Sequence, residues 1–146
     1  MPHRADLEPP QRILIVDDER GVRALCSDVL RRSGYETEAV DSATTALERL
    51  AAASFDMAIV DIHMPMMSGI ELCRRMQGLR PGLPVALITG YPSIESAVRG
   101  IGFGARDYVS KPFTPDALRE VVGRLLGADA QTPPASSEPA ARLGLA

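Results

Sequence analysis

The segment Arg12 to Asp17 reads RILIVD, a run of apolar residues that ends on a carboxylate. Its length and its β-branched residues are typical of a strand, and the lack of polar alternation is typical of a strand covered on both faces. Two later segments, Met57 to Asp61 (MAIVD) and Pro84 to Thr89 (PVALIT), repeat this pattern. Strands of this kind predict a parallel sheet with helices on both faces.

Two further strands are predicted at Thr37 to Asp41 (TEAVD) and Asp107 to Ser110 (DYVS). Between the strands, apolar residues recur at the spacing of amphipathic helices. Five helices are predicted, around Val22–Leu30, Ala43–Leu50, Ile70–Met76, Ile94–Ile101 and Leu118–Leu126. This alternation predicts an α/β fold, a doubly wound (βα)5 unit whose functional edge lies at the carboxyl ends of the strands.

Local signals mark several helix boundaries. Ser68 with Glu71 forms a candidate capping box, and Thr114 followed by Pro115 is a strong start for the fifth helix. Gly34 is predicted to close the first helix in a left-handed conformation.

Length and composition favour one globular domain. The chain has 146 residues, of which 45% are hydrophobic, and a formal net charge of -3. No bulk basic field is available to hold nucleic acid or an anionic membrane, so neither is a predicted partner. Because neither an apolar membrane span nor the apolar core of a signal peptide is found, we expect a cytoplasmic protein.

Further predictions concern the two cysteines and the chain ends. Cys26 and Cys73 occur outside any CxxC pattern and are predicted as buried free thiols, with disulfide or metal roles as the alternatives. Residues 1–11 are predicted to form a flexible arm, residues 12–127 the domain, and the Ala/Pro/Ser-rich residues 128–146 a flexible tail or linker.

Polar residues coincide with the predicted carboxyl ends of four strands: Asp17, Asp18, Asp61, Thr89 and Lys111. Carboxylates brought together repel one another, so such a cluster holds a cation or shifts its pKa values. Few carboxylates without a compact His or Cys set favour Mg2+ over zinc. Lys111 is the only lysine of the chain, which has fifteen arginines, so this position indicates a specific need for an ammonium group. A carboxylate, a hydroxyl and an ammonium are the groups that phosphoryl transfer needs.

Each of these residues also has a structural interpretation. Asp17 and Asp18 are alternatively caps of the first helix, Asp61 a turn residue, Thr89 the end of a strand, and Lys111 a solvated surface residue. These interpretations give no reason for the five to converge on one edge, so the functional interpretation is preferred.

Four segments in this order resemble the receiver domain of two-component response regulators, of the CheY-like superfamily and closest to the NtrC and FixJ types. They are ILIVDDE (13–19), VDIHMPMMSG (60–69), LITGY (87–91) and DYVSKPF (107–113). The resemblance runs from about Arg12 to Leu126. It implies a flavodoxin-like sheet of strand order 2-1-3-4-5.

The same resemblance implies the site. Asp61 would accept a phosphoryl group from a sensor histidine kinase or a histidine phosphotransfer protein. Asp18, Asp61 and the backbone carbonyl of His63 would bind Mg2+, with Asp17 acting indirectly. The domain would catalyse its own phosphorylation and dephosphorylation without turning over a separate substrate.

A switch is implied as well. Thr89 would hydrogen-bond the phosphoryl group and Lys111 would form its ion pair, while Tyr108 would move into the space that Thr89 leaves. This would alter the surface of the fourth helix, fifth strand and fifth helix, which would control a downstream protein or output domain or form a homodimer. The bulky Tyr91 is expected to slow self-dephosphorylation.

Two other functions are possible for such a chain, and the sequence disfavours both. A phosphatase of the haloacid dehalogenase type expects a DxD pattern after the first strand, whereas Asp17 and Asp18 are adjacent here and Asp61 is followed two residues later by His63. A receiver fold that serves only as a binding scaffold is disfavoured because all five pocket residues are retained.

Overall fold

One parallel sheet organises the chain. A computed structural model describes residues 9–91, 99 and 101–127. Its strands are β1 (Arg12–Val16), β2 (Glu36–Val40), β3 (Met57–Asp61), β4 (Val85–Thr89) and β5 (Ala105–Ser110). They are all parallel and lie in the order β2-β1-β3-β4-β5, so the predicted fold and strand order are confirmed.

Four helices are described: α1 (Arg20–Arg32), α2 (Ala43–Ala52), α3 (Gly69–Leu79) and α4 (Pro115–Leu126). They correspond to the first, second, third and fifth predicted helices. Most of the fourth predicted helix lies outside the described residues, with helical backbone described at Arg99 and at 101–102. The predicted tail, 128–146, and residues 1–8 of the predicted arm also lie outside them.

Two apolar layers enclose the sheet. Helices α1 and α4 pack on one face and helices α2 and α3 on the other. Cys26 and Cys73 are buried free thiols in opposite layers, as predicted. Burial raises the pKa of Cys26 to about 12 and that of Cys73 to about 11, which keeps both thiols protonated and unreactive.

Helix ends follow most of the local signals. The Thr114 hydroxyl accepts the N–H of Ala117 at 3.0 Å, and Gly34 has a φ of +98°. The predicted capping box is half formed: Ser68 Oγ accepts the N–H of Glu71 at 3.2 Å, but the Glu71 carboxylate pairs with arginines one turn further along α3. Within the described residues, no helix is long and apolar enough to cross a membrane.

Candidate functional site

The predicted polar residues meet at the carboxyl edge of the sheet. Asp17 directly follows β1, Asp61 ends β3, Thr89 ends β4 and Lys111 directly follows β5. The N–H of Lys111 donates to the Thr89 carbonyl at 2.7 Å, which joins the last two of these positions. Parallel pairing brings these strand ends together although they are up to 94 residues apart in the sequence (111 - 17).

Four carboxylates form the acidic part of the site. Asp17, Asp18, Glu19 and Asp61 can each place one oxygen within 4.8 Å of the others. Asp17 and Asp61 are buried, whereas Asp18 and Glu19 are exposed. The donor set consists of oxygen alone and has access from solvent, so it fits a hard divalent cation such as Mg2+.

Lys111 reaches into this cluster. Its Nζ atom lies 3.0 Å from Glu19 Oε1, 3.1 Å from Asp17 Oδ2 and 3.6 Å from Asp61 Oδ2. The lysine side chain is 15% exposed, so its interpretation as a solvated surface residue is wrong. The Lys111–Pro112 peptide bond that precedes α4 is cis.

Burial, more than the nearby negative charge, shifts the pKa values of the two buried carboxyl groups. Burial, followed by the nearby charge of Asp17, raises the pKa of Asp61 to about 6, against the opposing attraction of Lys111. Burial also raises the pKa of Asp17. Although burial opposes it, hydrogen bonding to Glu19 and Asp17 raises the pKa of Lys111 and keeps it charged. A cation bound among these carboxylates would relieve their repulsion.

Glu19 belongs to the site although sequence reasoning assigned it no role. The available signal was its place beside the aspartate pair in ILIVDDE, but an acidic residue at the start of a helix is also a common surface pattern. Glu19 is the N-cap residue of α1 and makes no side-chain capping hydrogen bond, so neither Asp17 nor Asp18 occupies the N-cap position. Asp17 instead accepts the N–H of Glu19 through Oδ1 at 2.8 Å.

Gly69 is a second residue that sequence reasoning missed. A Cβ atom at this position would lie 2.2 Å from the backbone oxygen of Asp61 and 2.8 Å from Cα of Ile62. The N–H of Gly69 also donates to the Ile62 carbonyl at 2.8 Å. Only glycine lets the start of α3 approach the chain that carries Asp61 so closely.

Two aromatic rings lie beside the pocket. The Thr89 hydroxyl is buried and accepts the N–H of Tyr91 at 3.1 Å. Tyr91 is 81% exposed, and its ring meets the His63 ring edge to face, with centroids 5.9 Å apart. The backbone N–H of His63 donates to Asp61 Oδ1 at 3.2 Å, so the residue that carries one of these rings is bonded to Asp61 through its backbone.

Residues 13–123 match the family of the response regulator receiver domain. The chain belongs to this family. The receiver is 40% identical over 136 residues to the response regulator protein FleR of Pseudomonas aeruginosa, an alignment that covers 90% of this chain and 28% of FleR. The chain spans less than half the length of the curated relatives that it matches here.

Solved receiver structures are similar in fold. A CheY-like receiver domain protein from Methanospirillum hungatei superposes with a TM-score of 0.76 at 35% identity, covering 80% of this chain and 93% of that one. The response regulator TrrA of Thermotoga maritima, solved in complex with Mg2+ and beryllofluoride, superposes with a TM-score of 0.72 at 34% identity and covers 80% and 99%. Membership of this family contradicts the alternative assignment to the haloacid dehalogenase type.

The predicted switch residue of the receiver, Tyr108, lies on β5. Its side chain is partly buried and packs against the apolar layer that contains α2 and α3. Among the predicted site residues, the structure therefore brings Asp17, Asp18, Asp61 and Lys111 into one cluster and places Thr89 on the adjoining strand end.

Proposed function

We propose that this receiver accepts a phosphoryl group on Asp61 from a phosphohistidine of a sensor histidine kinase or a histidine phosphotransfer protein, in a reaction that needs Mg2+. One observation carries the proposal: a buried carboxylate, Asp61, lies 3.6 Å from the Lys111 ammonium inside a cluster of carboxylates at the carboxyl edge of the sheet. Such a pocket combines a nucleophile with the charges that a phosphoryl group requires.

The residues divide the chemistry between them. A carboxylate oxygen of Asp61 attacks phosphorus, forming an O–P bond while the N–P bond of the donor breaks and its electron pair goes to the imidazole nitrogen. Mg2+, held by Asp18, Asp61 and the backbone carbonyl of His63, would neutralise charge on the phosphoryl oxygens, with Asp17 acting indirectly. Water attack on the acyl phosphate later regenerates Asp61, so no separate substrate is turned over.

Two strand-end groups receive the phosphoryl oxygens. The Lys111 ammonium forms an ion pair with one of them. The Thr89 hydroxyl accepts a hydrogen bond from the N–H of Tyr91, which leaves its own proton for donation to another. These contacts favour the acyl phosphate by holding its charge inside a partly dry pocket.

The output is a change of surface. Movement of Thr89 toward the phosphoryl group would let the half-buried Tyr108 ring turn inward, because Tyr108 lies on β5, which pairs with the strand that Thr89 ends. The surface formed by the predicted fourth helix, β5 and α4 would then differ between the two states. A downstream protein, an output domain or a second copy of the receiver would read this difference.

Intact mass after incubation with acetyl phosphate and Mg2+ tests the proposal. The wild type should gain about 80 Da, the mass of one phosphoryl group. Asp61→Asn, and the wild type in EDTA, should not. A wild type without this adduct would favour the scaffold alternative, and an equal adduct on Asp61→Asn would move the phosphoacceptor elsewhere.

A further inference from the structure

Lys111 lies nearest to a carboxylate that the proposed chemistry leaves without a role. Its Nζ atom is 3.0 Å from Glu19 Oε1 but 3.6 Å from Asp61 Oδ2. The Glu19 side chain is 62% exposed, whereas that of Asp61 is buried. The ammonium therefore makes its shortest contact with the exposed carboxylate and its longest with the phosphoacceptor.

The local backbone allows Glu19 to reach Lys111. Glu19 is the N-cap residue of α1, but its side chain makes no capping hydrogen bond. Its N–H donates to Asp17 Oδ1 at 2.8 Å, while Asp17 Oδ2 lies 3.1 Å from Lys111 Nζ. Asp17, Glu19 and Lys111 thus form a closed ring of contacts, in which the buried aspartate orients the other two.

We propose that Glu19 is a positioning residue that holds Lys111 in the unphosphorylated receiver and gives it up when a phosphoryl group is bound to Asp61. The inference rests on the proposed function of Asp61. A phosphoryl group brings up to about two negative charges, and the flexible ammonium with its three donors can turn toward them. Glu19 competes for the same ammonium, so it stabilises the resting state and weakens phosphoryl binding.

Beryllofluoride tests this competition, because it binds as a phosphoryl mimic without a transfer step. The dissociation constant of beryllofluoride would be measured by calorimetry at saturating Mg2+. Saturation would be checked for each variant, because removal of a carboxylate weakens the attraction of the site for Mg2+. Since Glu19 is exposed, its ion pair is weak. We expect Glu19→Gln to bind beryllofluoride about two- to fivefold more tightly than the wild type.

Two further variants separate the contact from the charge. Glu19→Asp keeps the negative charge but is one methylene too short for the observed contact, so it should bind as tightly as Glu19→Gln. Glu48→Gln removes an exposed carboxylate on α2, away from the site, and should bind like the wild type.

The outcomes are distinguishable. Binding by Glu19→Gln that equals or falls below that of the wild type would overturn the inference. So would wild-type affinity in Glu19→Asp, because charge alone would then explain the gain. A wild type that fails to bind beryllofluoride would instead count against the proposed function.

Discussion

Replacing Asp61 with asparagine should stabilise the metal-free domain, increasingly so as the pH rises. Burial and the charge of Asp17 raise the pKa of Asp61 from 3.8 to about 6. Between these pH values the folded protein keeps a proton that the unfolded chain has lost. The stability linked to this group is therefore fully present below pH 3.8 and is lost as the pH rises through about 6.

The magnitude follows from the two pKa values. The difference between them corresponds to about 3 kcal/mol of unfolding free energy that the wild type has lost above pH 7. About half of this loss has developed by pH 5. Asparagine has nearly the same shape, and its side-chain oxygen can still accept the N–H of His63, which lies 3.2 Å from Asp61 Oδ1. Asp61→Asn also loses the attraction between Lys111 and the Asp61 carboxylate. This attraction is already included in the calculated free energy, because it lowers the pKa of Asp61.

Urea unfolding in EDTA measures this effect at pH 4.5, 6 and 8, and far-UV circular dichroism is the suitable signal because the chain has no tryptophan. We expect Asp61→Asn to be more stable than the wild type by about 2–3 kcal/mol at pH 8, with a smaller difference at pH 4.5. Glu48→Gln removes an exposed carboxylate and should change stability by less than about 0.5 kcal/mol at each pH.

If Asp61→Asn is more stable than the wild type by the same amount at all three pH values, the electrostatic explanation is refuted. It is also refuted if Asp61→Asn is less stable than the wild type at pH 8. Addition of Mg2+ gives an independent check. The cation offsets the same repulsion, so it should stabilise the wild type more than Asp61→Asn and narrow the difference between them.

Four other substitutions, the first with a matched control, have expected outcomes. Gly69→Ala should destabilise the domain by about 3 kcal/mol in thermal unfolding, because the new Cβ atom would overlap backbone atoms. In the same helix, a Cβ atom at Gly78 meets nothing within 4 Å, so Gly78→Ala should stabilise the domain by about 1 kcal/mol. Equal effects of the two substitutions would contradict the steric argument. Met66→Gly should raise the unfolding free energy by up to about 1 kcal/mol because Met66 has a φ of +73°, and a decrease would argue against strain there. Lys111→Arg should keep the fold, since the Lys111 ammonium lies at the edge of the sheet. The variant should no longer show the change in NMR spectrum that beryllofluoride and Mg2+ cause in the wild type. An unchanged spectral response would show that a guanidinium suffices. If the Tyr91 ring, which meets that of His63 edge to face, restricts the approach of water, Tyr91→Ala should shorten the lifetime of the acyl phosphate. Intact mass over time measures this lifetime, and an unaltered decay rate would remove this role.

Most of the fold could be predicted because its signals are local. The apolar run in β3 and the spacing of apolar residues in α1 each reflect a periodicity that holds within one element. Strict alternation of strands and helices then leaves few topologies. The capping box at Ser68 was half wrong for a local reason too, because the arginines of the following turn compete for Glu71.

The candidate site was predictable only in outline. Polar residues at strand ends indicated which side chains share an edge, since parallel strands end together. The sequence could not indicate that Asp17 and Asp61 are buried beside one another, because their burial depends on layers of helices contributed by distant segments. Sequence reasoning could predict only that clustered carboxylates hold a cation or shift their pKa values, whereas the raised pKa values of Asp17 and Asp61 follow from their burial.

The amino-acid sequence by itself determined the class of fold, the strand order through its family resemblance, and the inventory of groups at the carboxyl edge. Tertiary structure alone decided that Lys111 lies closer to Glu19 than to Asp61, and that Gly69 has no room for a side chain. The physical reason is the distance along the chain over which each kind of interaction acts. Periodicity and capping act over a few residues, whereas an ion pair between residues 19 and 111, or a backbone contact of 2.2 Å, exists only after the sheet and its helices have packed.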